Sequence, residues 1–218
     1  MDSINFGHQL IENAQMIFWD FDGVIKDSVE IKKMAFVKLF ETYGEDTKER
    51  IRQHHQANGG MSRFSKFPIY LNWIGEVATP ERVNKLSEQF SKLVFQGVID
   101  SPWVPGVEGY LRANKYRQTF ILVSATPQGE LERIVDILEL KKSFTLTFGA
   151  PISKAEAIQT TLLKSNVPSE SALMIGDAVA DLEAAKINQV PFLLRRHSNN
   201  AAIFADYGGA WINDFIQL

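Results

Sequence analysis

Short apolar runs that alternate with amphipathic helical stretches constrain the fold of this chain more than any other feature. Several are nearly continuous in apolar side chains, as is typical of strands buried on both faces of a parallel sheet. Between the runs, apolar residues recur with helical spacing, as in Leu131, Ile134, Val135 and Leu138. The alternation predicts an α/β fold with a doubly wound parallel sheet. The five runs are residues 16–19, 120–123, 145–148, 173–175 and 192–194.

Residues 29–100 break this alternation and have a helical pattern throughout. Thr79 followed by Pro80 predicts one helix start, and 58–63 is a loop signal rich in Asn and Gly. Two further starts are predicted in the sheet region: Thr126 as N-cap with Pro127 at the first helical position, and a capping box that begins at Ser153. We therefore expect a core domain from residues 1–28 and 101–218, with an inserted α-helical cap domain at 29–100.

The composition excludes several classes of function. The chain has 218 residues and no cysteine, and the absence of cysteine excludes disulfides. Its net charge of −3 gives no reason to expect nucleic acid as a partner. No apolar stretch reaches the length of a membrane span, and the first 15 residues lack a signal-peptide pattern. We expect a cytoplasmic protein without membrane or nucleic-acid partners. No coiled-coil seam is visible, and we expect a monomer or a weak homodimer.

Chemically active side chains follow the predicted strands. Asp20 and Asp22 come directly after the first run, Ser124 after the second, Lys154 shortly after the third and Asp177 after the fourth. Ligands of open α/β sheets bind at the carboxyl ends of the strands, so these groups are expected to converge in one crevice.

The two carboxylates of Asp20 and Asp22 are close enough in sequence to repel each other. A divalent metal, or a proton held by one of them, would relieve that repulsion. One could then act as a nucleophile while the other transfers protons. The alternatives are an acidic surface turn, or Asp22 as the cap of the next helix.

Four motifs in register resemble those of the haloacid dehalogenase superfamily of phosphotransferases. They are residues 20–28 (DFDGVIKDS), 121–124 (ILVS), Lys154, and 175–181 (IGDAVAD). The helical insertion after the first motif is similar to the C1 cap of the phosphoglycolate phosphatase and β-phosphoglucomutase-like subfamily. The resemblance covers essentially the whole chain and implies a Rossmann-like core.

The resemblance also implies roles for the acids. Asp20 would attack phosphorus and form an aspartyl phosphate, and Asp22 would protonate the leaving oxygen and later deprotonate water. Mg²⁺ would be held by Asp20, the backbone carbonyl of Asp22, and Asp177. Asp181 would hold a metal-bound water or pair with Lys154.

Other residues would bind the substrate. Ser124, the backbone N–H of Ala125, and Lys154 would contact the phosphoryl oxygens. In the cap, the segment 59–67 is the candidate for substrate choice, because Arg63 and Lys66 suit an anionic substrate. The alternative is that both cations are solvated beside an aromatic core of Phe64, Phe67, Tyr70 and Trp73. The adjacent His54 and His55 are interpreted as surface or substrate-loop residues and not as a zinc site.

These observations predict a Mg²⁺-dependent phosphatase for a small phosphorylated metabolite, such as a sugar phosphate or a phosphoglycolate-like acid. Asp22 favours phosphoryl transfer, since dehalogenase members do not need this acid. A phosphomutase of the same fold is the main alternative. A phospho-aspartate signalling switch is disfavoured by the second acidic cluster and the long insertion. A catalytically silent binding protein is disfavoured because clustered charges without metal chemistry are costly.

Overall fold

The structure is a computed structural model that describes residues 3–218, so the first two residues of the expected core range lie outside the described residues. Six parallel strands form one sheet in the order β3-β2-β1-β4-β5-β6. The strands are β1 Met16–Trp19, β2 Thr119–Pro127, β3 Leu146–Ala150, β4 Ala172–Gly176, β5 Phe192–Arg195 and β6 Trp211–Ile212. The predicted doubly wound parallel sheet is confirmed.

Helices cover both faces of the sheet because the central strands are apolar on both sides. In β1, Ile17 and Trp19 belong to one buried cluster, and Met16 and Phe18 belong to another. The helices are α1 Ser3–Asn13, α2 Val29–Leu39, α3 Glu45–Ala57, α4 Arg63–Trp73, α5 Pro80–Asp100, α6 Val107–Ala113, α7 Gln128–Ile137, α8 Lys154–Ser165 and α9 Val179–Ile187. Short 3₁₀ turns occupy Glu41–Tyr43 and Ser169–Ser171.

The register of the central strands aligns their carboxyl ends, where the site lies. Trp19 is paired with Leu122 of β2 on one side and with Ile175 of β4 on the other. The chain order reverses at β1, because β2 and β3 lie on one side of it and β4 to β6 on the other. The residues that follow these strands therefore meet at the carboxyl edge, where the topology opens a crevice.

The structure differs from the sequence prediction at two places. Strand β6 was not predicted, because two residues are too short for a recognisable pattern. The predicted N-cap at Thr126 is wrong: β2 runs on to Pro127 and α7 begins at Gln128. The Thr126 hydroxyl instead accepts a hydrogen bond from Lys32 Nζ at 2.8 Å.

Helices α2 to α5 lie between β1 and β2 in the sequence and pack around an aromatic cluster. Phe36 stacks near Phe67, Tyr70 and Phe90, with ring centroids 4.2–5.7 Å away. The side chains of Ser62 and Thr79 cap α4 and α5 by accepting backbone N–H bonds. The division of the chain into core and cap domains stays a prediction.

Within residues 3–218, we find no helix with the combination of length and apolar character that crossing a membrane requires.

Candidate active site

A tight turn after β1 places Asp20 in the crevice. The backbone N–H of Asp20 donates to the Ile175 carbonyl at 3.0 Å, which ties the residue to β4. Gly23 follows with φ of +80°, and a Cβ there would lie 2.1 Å from Asp177 Oδ2. Only glycine fits, because the backbone is left-handed and a neighbouring carboxylate occupies the space of a side chain.

Asp177 and Asp181 enter the crevice from the segment between β4 and the first turn of α9. Asp177 directly follows β4, and Asp181 Oδ2 accepts the backbone N–H of Ala178 at 3.0 Å, which caps the helix. Asp20, Asp177 and Asp181 are all buried, and each offers one oxygen within 4.8 Å of those of the other two. We call these three carboxylates the acidic wall.

Lys154 supplies the cation beside the acidic wall. Ser153 caps α8 by accepting the Glu156 N–H at 3.2 Å, which is one of the two bonds of the predicted capping box, and so fixes Lys154 in the first turn. The Lys154 ammonium lies 2.7 Å from Asp20 Oδ1 and also bonds Asp181. Of the two alternatives for Asp181, the ion pair with Lys154 is therefore present.

The electrostatics of the acidic wall favour a bound cation. Burial, reinforced by the charge of Asp181, raises the pKa of Asp20 to about 7, although Lys154 opposes the shift. Burial likewise raises the pKa of Asp177 and of Asp181. Burial alone would lower the pKa of Lys154, but Asp181 and Asp20 outweigh it and raise it. Three buried carboxylates against one ammonium leave excess negative charge, and this all-oxygen donor set fits Mg²⁺.

Asp22 is held by two donors. Ser28 Oγ donates to Asp22 Oδ1 at 2.6 Å, and Lys32 Nζ bonds Asp22 Oδ2. Lys32 also donates to Thr126, so α2 is tied to both β1 and β2 at this edge. The alternative in which Asp22 caps α2 is wrong, since Ser28 occupies the N-cap position.

Ser124 and Ala125 also lie at this edge of the sheet. Ala125 lines a cavity of about 80 Å³ together with Asp20, Asp22 and Lys154. Ser124 is buried, and its Oγ accepts the backbone N–H of Thr126 at 3.1 Å. Ser124 faces a neighbouring pocket of about 310 Å³, which Ala125 and Lys154 also line. The structure thus brings the predicted phosphoryl-binding residues together around Lys154.

The inserted helices close the cavity with a loop and a lysine. Gly60, with φ of +77°, lies against the core, and a Cβ there would be 3.7 Å from Lys154 Nζ. Lys66 on α4 lines the cavity and is 1% exposed. Its Nζ lies 2.9 Å from His55 Nδ1, the one hydrogen-bond partner it has within residues 3–218.

Burial and the charge of Lys32 lower the pKa of Lys66 to about 7. Burial and the charge of Lys66 hold the pKa of His55 well below its usual range. The surface interpretation of His55 is wrong, because the ring is 8% exposed and lines the cavity. The alternative of two solvated cations is also wrong, although Phe67 and Tyr70 do belong to the core.

Arg63 is buried in an ion pair that links the inserted helices to the sheet region. Its guanidinium makes two parallel bonds to Glu130 of α7, at 3.0 and 2.8 Å, and a third to Ser91 Oγ at 2.6 Å. It also lies 4.4 Å from the centre of the Phe90 ring. Arg63 lines the cavity, but Glu130 already neutralises its charge.

Sequence reasoning missed Lys32, Glu130 and His197. His197 Nε2 lies 2.9 Å from Asp177 Oδ2, and the residue comes two positions after β5. The strand-end rule that identified Asp177 would have found it. Lys32 lies one helical turn after Ser28, which is a weak signal. Glu130 has no local signal, since its partner is 67 residues away.

Comparisons with known proteins agree with this geometry. The family model for haloacid dehalogenase-like hydrolases matches residues 17–194. A phosphorylated carbohydrates phosphatase of Thermotoga maritima is 25% identical over 178 residues, which is 79% of this chain and 80% of the relative.

Two solved structures share the fold. β-Phosphoglucomutase from Clostridium difficile has a TM-score of 0.71 at 19% identity and covers 94% of this chain and 93% of its own. CbbY from Rhodobacter sphaeroides, solved with xylulose-(1,5)bisphosphate, has a TM-score of 0.73 at 15% identity over 94% of this chain and 96% of its own. The predicted fold, the resemblance to the haloacid dehalogenase superfamily and the prediction of a hydrolytic enzyme are confirmed. Because the family model spans most of the sequence, this chain belongs to the haloacid dehalogenase-like hydrolase family.

Proposed function

We propose that this protein is a Mg²⁺-dependent phosphatase that hydrolyses a small phosphorylated carbohydrate through an aspartyl phosphate on Asp20. The observation that carries the proposal is the acidic wall beside Lys154, because a phosphoryl group needs both a nucleophile and local positive charge. The name of the Thermotoga relative supports a carbohydrate phosphate as the substrate class.

In the first step, one carboxylate oxygen of Asp20 attacks phosphorus. The bond between phosphorus and the ester oxygen breaks as Asp22, after exchanging its bond to Lys32 for a proton, donates that proton to the departing alcohol. In the second step, Asp22 takes a proton from water, and the resulting oxygen attacks the aspartyl phosphate. Phosphate leaves and Asp20 is regenerated.

The other residues hold these groups and the phosphoryl oxygens. Lys154 exchanges part of its bonding to Asp20 for a phosphoryl oxygen, and Ser124 and the N–H of Ala125 bind the remaining oxygens. Mg²⁺ held by Asp20, Asp177 and the carbonyl of Asp22 would neutralise charge on the transferred group. Ser28 and Lys32 keep Asp22 aligned, as their bonds to its two oxygens indicate.

Lys66 is proposed to bind a second anionic group of the substrate. Its ammonium lines the same cavity as Asp20 and contacts a neutral imidazole, so the charge lacks a carboxylate partner among the described residues. Arg63, in contrast, is proposed to act indirectly, by holding α4 against α7 through Glu130. Of the two cations predicted to bind substrate in segment 59–67, only Lys66 is therefore proposed to contact it.

A phosphomutase is the second candidate, and the approach of the inserted helices to the site is the observation that favours it. Gly60 lies against Lys154, and the cavity of about 80 Å³ beside Asp20 leaves little room for water next to a bound substrate. An aspartyl phosphate shielded from water could pass its phosphoryl group to another hydroxyl of the sugar. Cytoplasmic location and a monomeric or weakly dimeric state stay predictions.

Phosphate release from a panel of sugar phosphates and phosphorylated small acids, with Mg²⁺ and with EDTA, tests the proposal. We expect release from a few related compounds that stops in EDTA and returns with added Mg²⁺. Release that is equal in EDTA would refute the metal-dependent mechanism. Conversion of one sugar phosphate isomer into another, without phosphate release, would select the mutase.

A further inference from the structure

The turn that follows β5 hydrogen-bonds the side chain of Asp177. His197 Nε2 lies 2.9 Å from Asp177 Oδ2, and both side chains are buried, at 8% and 9% exposed. The backbone N–H of Asn199 points at the other ring nitrogen, His197 Nδ1, at 3.3 Å.

These contacts fix which ring nitrogen carries the proton. Nδ1 accepts from a backbone N–H, so a neutral His197 must carry its proton on Nε2. Nε2 then donates to the carboxylate of Asp177. The imidazole is therefore oriented by the backbone on one side and orients an acid on the other.

Asn200, in the same turn, bonds the backbone of Asp177. It is 4% exposed, and its Nδ2 donates to the Asp177 carbonyl at 2.8 Å and to the Arg195 carbonyl at 2.9 Å. Its Oδ1 accepts the backbone N–H of His197 at 2.9 Å. One short turn thus fixes both the backbone and the carboxylate of Asp177.

We propose that His197 is a positioning residue that sets the orientation of Asp177 for a divalent cation in the acidic wall. A carboxylate already held in place loses less freedom when the cation binds, and binding is correspondingly tighter. This inference rests on the proposed Mg²⁺ site. It assigns a role to a residue outside the four motifs that carry the family resemblance.

Equilibrium binding of Mg²⁺ alone, measured by calorimetry on the full chain without substrate, tests this role. His197→Gln and His197→Met are matched in length, but only glutamine keeps an N–H donor. We expect His197→Met to weaken Mg²⁺ binding about 10- to 100-fold and His197→Gln to retain most of the affinity. His8→Ala, a histidine of helix α1 outside the acidic wall, serves as the control and should bind like the wild type.

The melting temperature in EDTA separates positioning from general destabilisation. We expect His197→Met to melt no more than a few degrees below His197→Gln, as one lost hydrogen bond predicts, with both variants fully folded at the temperature of the titration. Equal Mg²⁺ affinity of both variants and the wild type would overturn the role of His197 and leave the phosphatase proposal standing. A wild type that binds no Mg²⁺ would overturn both.

Discussion

The two sides of the cavity have opposite charge imbalances. On the sheet side, the acidic wall has three carboxylates and one ammonium, Lys154, which bonds Asp20 and Asp181, while Asp177 bonds His197. On the helical side, Lys66 is also buried, and its ammonium hydrogen-bonds His55 and has no carboxylate partner among the described residues. Each side lacks the charge that the other has in excess, so the proposed ligand is one that brings a cation to the acidic wall and an anionic group to Lys66. A metal-bound phosphate ester with a second anionic group has that character.

The largest expected effect comes from removing the proposed nucleophile, Asp20, from the acidic wall. Asp20→Asn preserves the shape and one acceptor oxygen but cannot form the aspartyl phosphate, and we expect turnover to fall ~10³-fold or more. Phosphate release under saturating substrate measures the effect. The matched control is Asp206→Asn, an exposed acid far from the cavity. Substantial turnover by Asp20→Asn would refute the assignment of the nucleophile.

The link between the two sides is tested through Arg63 and Glu130. Their side chains are 3% and 9% exposed, so removing either one leaves a buried charge without its partner. We expect Arg63→Met or Glu130→Leu alone to lower the free energy of unfolding by about 3 kcal/mol.

The double variant should cost much less than the sum of the single losses, since no charge is then stranded. Urea denaturation of the wild type, the two single variants and the double variant gives the coupling free energy between Arg63 and Glu130. Additive losses would show that the ion pair does not hold the inserted helices to the sheet region.

The role of Lys66 on the helical side of the cavity is tested by Lys66→Met, which keeps the side-chain volume and removes the charge. For a substrate with a second anionic group, we expect KM to rise about 10- to 100-fold, the usual contribution of a charge-assisted bond. A small aryl phosphate should be hardly affected, because it has no group to reach Lys66. Lys85→Met on the exposed face of α5 is the control.

The pH dependence provides a check on the same residue. Lys66, with a pKa near 7, loses its proton as the pH rises through that value. The KM of the wild type for the doubly anionic substrate should therefore increase above pH 7, and Lys66→Met should lack this increase. A rise of equal size in both proteins would assign it to another group.

The sheet and its acids were predictable because both depend on patterns local in sequence. The spacing of Asp20 and Asp22 after an apolar run, and the cap at Ser153, can be recognised within a few residues. Strand-end position then places Asp177 opposite Asp20, since parallel strands end at one edge. The short β6 was missed because two residues do not form a pattern.

The helical side was less predictable because packing, not local pattern, decides its contacts. Lys32 meets Thr126 from 94 residues away, and Arg63 meets Glu130 from 67 residues away. From sequence, Arg63 and Lys66 are two similar cations in one segment. Only the folded structure shows that Arg63 pairs with a carboxylate of α7 while Lys66 bonds His55.

The central position of β1 has a consequence for how the site is lost. This strand is hydrogen-bonded on both sides, and Asp20 is its next residue. Opening β1 requires disrupting the middle of the sheet, so its amides belong with the part of a protein that exchanges with solvent hydrogen only on global unfolding. The proposed nucleophile therefore lies in the part of the sheet that local fluctuations disturb least. In the proposed mechanism, phosphoryl transfer depends on this persistent strand, and substrate choice depends on the helices inserted between β1 and β2.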